Sequence, residues 1–142
     1  METEHIVIFD GSAPATSKEK PDNVLVSVAN KEKMLFQQVV PFTSNDTQQL
    51  LESFTAMMAD RGLKKENLKG VAVIHGSERF TVSRLVTVIA NGLSWSLHIP
   101  AQAYDEMPEL QQIWTDLEEK EYDGTLIDPH YAKEPTINMK TK

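Results

Sequence analysis

The chain predicts an α/β fold, a mixed five-stranded sheet with flanking helices in a single domain. Three observations predict it. The run Val71-Ala72-Val73-Ile74 is apolar at consecutive positions and mostly β-branched, as expected of a strand covered on both faces. Three runs of strand character, joined by turn residues, fill the first 40 positions and precede it. Two segments of 3.6-residue periodicity, 46–61 and 83–97, flank it in sequence. A length of 142 residues fits one domain able to bury a real core.

The elements follow in order. Residues 5–9 are β-branched and aromatic and are stopped by Asp10-Gly11, which makes a strand followed by a turn. Residues 14–23 are rich in Ser, Lys, Pro and Asp without apolar periodicity and read as a long loop. In residues 24–29, Val24, Val26 and Val28 alternate with Leu25, Ser27 and Ala29. Residues 34–40 form the next strand after the turn Asn30-Lys31-Glu32-Lys33. Residues 41–45 read as a loop in which Ser44 or Asn45 caps a helix over 46–61, and Gly62 ends that helix. Its face carries Leu50, Leu51, Phe54, Met57 and Met58.

The stretch 71–100 reads as strand, loop, helix and turn. Thr81 or Ser83 offers a hydroxyl cap to the helix, and Pro100 forces an end near Leu97-His98. Val82, Leu85, Val86, Ile89, Leu93 and Leu97 make one broad core stripe. Val88 and Trp95, with Gly92 between them, fall on a different side. That side either packs under another segment of the chain or meets a partner. Residues 101–104 read as a short strand. Over 108–121, Leu110, Ile113, Trp114 and Leu117 give an amphipathic helix with one buried face, ended by Asp123-Gly124.

Composition excludes several functions. With no cysteine, the chain forms no disulfide, no Cys-ligated zinc site and no thiol nucleophile. His5, His75, His98 and His130 show no metal-ligand spacing, so neither metal nor cofactor is expected. A net charge of −7 opposes independent binding to nucleic acid, whose phosphates supply most non-specific affinity. No apolar run approaches the ~20 residues of a membrane span, and Met1-Glu2-Thr3-Glu4 is unlike a basic leader; the expected location is cytoplasmic.

The order L-x-x-[VI]-A-V-x-x-G-x-x-x-F-T-x-x-R, then A-x-G-L, then I-P, runs through Leu68, Val71, Ala72, Val73, Gly76, Phe80, Thr81, Arg84, Ala90, Gly92, Leu93, Ile99 and Pro100. This order resembles the TsaB family. TsaB proteins are accessory subunits of the bacterial machinery that places threonylcarbamoyl on adenosine 37 of tRNA. The resemblance implies an actin-like, ribonuclease-H-like fold, to which an opening of three antiparallel strands is suited. Where the family has G-P-G-S-F-T-G, this chain has Gly76-Ser77-Glu78-Arg79-Phe80-Thr81-Val82, with two glycines and the proline lost. The family's His-Ser-Glu-like cluster at the first helix is replaced by Asp46, Thr47 and Gln48. A second match, P-x-Y-x-[RK]-x-P at 129–135, places a family-like end in the tail 125–142. Between the matches the family's second α/β half is missing, and the helix 108–121 stands in its place.

The resemblance implies a non-catalytic scaffold whose partner is a TsaD-type catalytic subunit. Contact would be made through the helices 46–61 and 83–97, which can also make a homodimer in the family; tRNA is met only indirectly. The candidate interface residues are Leu51, Met57, Met58, Arg84, Val88, Gly92 and Trp95. The alternative is a small actin-like nucleotide binder, a phosphotransferase or ATPase, using Asp10, Gly11, His75, Gly76 and Ser77. Asp10 stands where the superfamily's first-strand carboxylate holds metal-bound water. His75 and the Gly76 loop sit where open α/β sheets bind ligands, although Glu78 brings negative charge to that loop. For Arg84, an ion pair with Glu78 or Asp60 is the simpler reading.

Overall fold

The structure is a computed structural model, and its described residues are 4–11, 22–42, 47–75, 80–124 and 127. Five strands, β1 (His5–Asp10), β2 (Asp22–Ala29), β3 (Met34–Phe42), β4 (Leu68–Ile74) and β5 (Ala101–Tyr104), form one mixed sheet in the order β3-β2-β1-β4-β5. The first three pair antiparallel, and β4 and β5 are added in parallel. Three helices complete the chain: α1 (Thr47–Asp60), α2 (Phe80–Leu97) and α3 (Leu110–Glu119). At the β2–β3 turn, Asn30 Oδ1 accepts bonds from the Glu32 and Lys33 amides, each at 2.8 Å. This Asx-type turn satisfies two backbone donors and fixes the hairpin register.

The period-2 alternation of the strands sorts their side chains onto two covered faces. Val7, Phe9, Val24, Val26, Val28, Val71 and Val73 face α1 and α2, meeting Phe54, Met57 and Met58 from one helix and Val86, Ile89 and Leu93 from the other. Phe9 and Phe54 pack edge to face with centroids 5.4 Å apart. The opposite face carries Ile6, Ile8, Ala29, Ala72 and Ile74 against Ile113, Trp114 and Leu117 of α3. Cover on both sides is why β4 reads as an unbroken apolar run. Gly70 lets α3 come close, because a Cβ there would lie 2.9 Å from Leu117 Cδ1.

Helix ends show how the backbone resolves its orphan carbonyls. After α1, Gly62 takes φ 69°, its amide bonds Ala59 O at 3.1 Å, and the Leu63 amide bonds Met58 O at 2.9 Å. This is a Schellman closure, with half-buried Leu63 packed on the same core as Met58. After α2 the left-handed position falls to His98 with φ 60°, and the Ile99 amide bonds Ser94 O at 3.1 Å. Pro100 follows and prevents any continuation.

Several boundaries differ from expectation. The second periodic helix begins at Phe80, so Thr81 and Ser83 lie within its first turns and cannot be its cap. Strand β3 runs through Pro41 to Phe42 instead of ending at 40, since an edge strand tolerates a residue without an N–H. β4 starts at Leu68 after a single 3-10 turn, Lys65–Asn67. α3 ends at Glu119, with the Lys120 amide bonding Asp116 O, so Asp123-Gly124 is not its stop. β2 starts at Asp22, so Asp22 and Asn23, expected in the loop 14–23, pair with Phe42 and Pro41 of β3 instead. The rest of that loop, the caps Ser44 and Asn45 and most of the tail 125–142 lie outside the described residues.

Candidate functional site

Two places gather the residues singled out from the sequence. The first is the C-terminal edge of the parallel strands. Asp10 ends β1 opposite Ile74 of β4, and the Gly11 amide continues the pairing with a 2.8 Å bond to Ile74 O. The His75 amide bonds Tyr104 O at 2.9 Å, which ties the end of β4 to β5. Asp10 is half-buried and His75 is 3% exposed, and both have interaction partners within the protein. The fold thus brings Asp10, Gly11 and His75 to one sheet edge but withdraws the imidazole from solvent. Gly76, Ser77 and Glu78 lie outside the described residues. Among the described residues no group of three or more acidic or imidazole side chains could hold a metal ion.

The second place is the outer face of α2. At about 100° per residue, Val88, Gly92 and Trp95 fall within about 60° of one another, centred about 120° round the helix from the stripe that meets the sheet. Val88 is 58% exposed and Trp95 is 68% exposed, and no described segment packs over Trp95. Gly92 has open space where a side chain would begin. Its missing Cβ keeps open a groove of about 360 Å³ between α1 and α2, lined by Leu51, Phe54, Thr55, Val88, Gly92 and Ser96. The whole of α2 carries a single charged residue, Arg84, which is exposed. A helix facing solvent ordinarily carries its charges on that side.

Met57 and Met58 do not join this surface. Each is 3% exposed and packs with Phe54 in the core, because the stripe at 54, 57 and 58 is the one α1 turns toward the sheet. Leu51, on the flank of that stripe, is 37% exposed and does reach the groove. The sequence reading missed Asn91. It lies beside Gly92, and its side chain holds the backbone of Ile127 with bonds of 3.0 and 2.8 Å, bringing the chain after α3 against the flank of α2 away from α1. An asparagine in mid-helix is the signal that could have drawn attention, since that side chain competes with helical bonds unless it has a partner elsewhere.

No family model matches the chain, and no curated protein matches it. Solved structures do match. YeaZ from Pseudomonas aeruginosa is similar with a TM-score of 0.54 and 17% sequence identity, covering 70% of this chain and 42% of that one. An uncharacterized protein with similarity to peptidase YEAZ from Pseudomonas aeruginosa is similar with a TM-score of 0.55, at the same identity and coverage. The likeness shows the fold, a divergent actin-like, ribonuclease-H-like α/β domain of the kind found in YeaZ. The chain spans well under half the length of these relatives, 42% of each.

Proposed function

We propose that the protein is a non-catalytic accessory subunit that docks onto a TsaD-type catalytic partner in the formation of threonylcarbamoyladenosine in tRNA. The observation that carries this reading is the outer face of α2, where Trp95 stands 68% exposed on a helix with one charge. A bare indole beside a glycine-floored groove has the make-up of an interface hot spot, in which a few aromatic anchors hold most of the binding energy. The motif of β4 and α2 resembles TsaB, and the fold likeness to YeaZ supports the same direction. The net charge of −7 fits a subunit that meets tRNA only through its partner. The test is co-purification with a TsaD-type subunit. Wild type is expected to form a complex that Trp95→Glu loses while melting at the same temperature; equal retention by both would refute the reading.

A second reading places another copy of this chain on the same face, since Trp95 is a knob and the Gly92 groove a hole one turn away. Self-association lost in Trp95→Glu without any TsaD-type complex would select it. The nucleotide reading keeps only Asp10 partly accessible at the sheet edge, because Gly11 and His75 are both buried. A nucleotide-induced rise in melting temperature would revive it.

A further inference from the structure

We infer that the partner on the outer face of α2 is an apolar helix that lies along the α1–α2 groove and brings one carboxylate to Arg84 and another to Lys65. This rests on the docking function proposed above and adds the chemistry of the partner. From Val88 to Ser96 the groove follows α2 for about 12 Å, a little over two turns. Lys65 stands at the Ser96 end, since it also borders Leu97, His98 and Pro100 just beyond. Arg84 stands one turn before Val88 and within about 20° of Trp95 round the helix. The two cations therefore bracket the apolar lining, about 18 Å apart along α2.

Charge selects the occupant. Lys65 is the one charged residue lining the groove, and Arg84 is the one charge on α2. Both are exposed, and among the described residues neither has an ion pair. Asp60, expected as a partner for Arg84, does not bond it. Glu52 of α1 does not line the groove and accepts a bond from Gln48 Nε2 at 3.0 Å. These cations stand unpaired in a chain with 21 acidic residues against 14 basic ones. A surface that covers them must supply the counter-charge, because a cation taken out of water without one is strongly unfavourable. A second copy would bring the same two cations to the seam, so charge favours a different protein. Shape selects a helix. Gly92 has open space where a side chain would begin, and Leu51, Phe54 and Val88 offer a lining for the apolar stripe of an amphipathic helix. On such a helix, residues at i and i+11 share one face about 16 Å apart, which matches the spacing of the two cations within the reach of their side chains.

The test is titration with a TsaD-type subunit at low salt, about 0.05 M, and at about 0.3 M. Wild-type affinity is expected to fall several-fold as salt rises. Arg84→Glu and Lys65→Glu should each weaken binding about ten-fold at low salt, and the double variant should bind more tightly as salt rises. Arg84→Lys should stay within a few-fold of wild type. Both positions are exposed, so all these variants should melt with the parent. Gly92→Leu fills the groove and should lose the complex with no loss of stability; its retention would overturn the helix in the groove. Trp95→Glu tests the docking face itself. If Trp95→Glu abolishes a complex that Arg84→Glu and Lys65→Glu hold as tightly as wild type or more tightly, the acidic partner is overturned and the docking face stands. If wild type forms no complex, both are overturned.

Discussion

Asn91 and Ile127 are joined by two hydrogen bonds through one side-chain amide: Nδ2 donates to Ile127 O at 3.0 Å, and Oδ1 accepts from Ile127 N at 2.8 Å. The asparagine thus does for the Ile127 backbone what a neighbouring strand would do. It seats Ile127, 9% exposed, in the core shared by α1 and α2, on the face opposite α3. Asn91→Ala is expected to cost about 1–3 kcal/mol, since each bond contributes roughly 0.5–1.5 kcal/mol. Hydrogen exchange at the Ile127 amide should accelerate by a similar factor. Protection unchanged from the parent would show that other contacts hold the segment.

The two tryptophans should respond in opposite ways. Trp114 is 2% exposed under the sheet, and Trp114→Ala is expected to cost about 3–5 kcal/mol, a large share of a small domain's stability. Trp95→Ala should stay within about 0.5 kcal/mol of the parent, because no described segment packs over it. Chemical denaturation of both variants checks the contrast. Similar losses would mean that Trp95 is covered after all.

The Tyr104 hydroxyl donates to Asp116 Oδ2 at 2.6 Å and ties β5 to α3. Burial first, then this bond and the negative charge of Asp116, push the phenol well above its ordinary pKa of 10.0. An acid whose folded pKa is raised keeps its proton where the unfolded chain has lost it. Stability is therefore expected to fall as pH rises beyond about 10, the unfolded value. Tyr104→Phe should flatten that slope and cost about 1–2 kcal/mol at neutral pH, with Gln112 still bonding Asp116. Urea midpoints at pH 8 and pH 10.5 read both effects.

His5, at the start of β1, is 4% exposed, and burial lowers its pKa below 6.5. The folded state then favours the neutral ring, and the unfolded chain takes up the proton first on acidification. Stability is expected to be full above about pH 7 and to decline as pH falls through 6.5, levelling off below the folded pKa. His5→Leu should remove this part of the decline. A decline of the same size in the variant would assign it to other groups.

The sheet was legible in the sequence because its signals are local. β-branched runs and the Asn30 turn give the antiparallel opening, and the consecutive apolar residues of β4 announce cover on both sides. Helix ends were less legible: Thr81 and Ser83 are good cap residues, yet the helix starts ahead of them at Phe80. Pro41 looked like a loop and sits in β3, because at an edge a missing N–H costs no pairing. At the candidate interface, periodicity found Val88, Gly92 and Trp95 but placed Met57 and Met58 with them. A helical stripe shows which residues share a side; it does not show which side the sheet will take. The Asn91–Ile127 clasp spans 36 residues and leaves no periodic trace.

The central claim, that the outer face of α2 is a docking surface, is tested most directly by acrylamide quenching of Trp95. In a Trp114→Phe background Trp95 is the sole indole, and the free protein should quench nearly as readily as an exposed tryptophan. Saturation with a TsaD-type subunit lacking tryptophan is predicted to lower the quenching constant several-fold. A complex that forms while Trp95 quenches as it does in the free protein would contradict the claim.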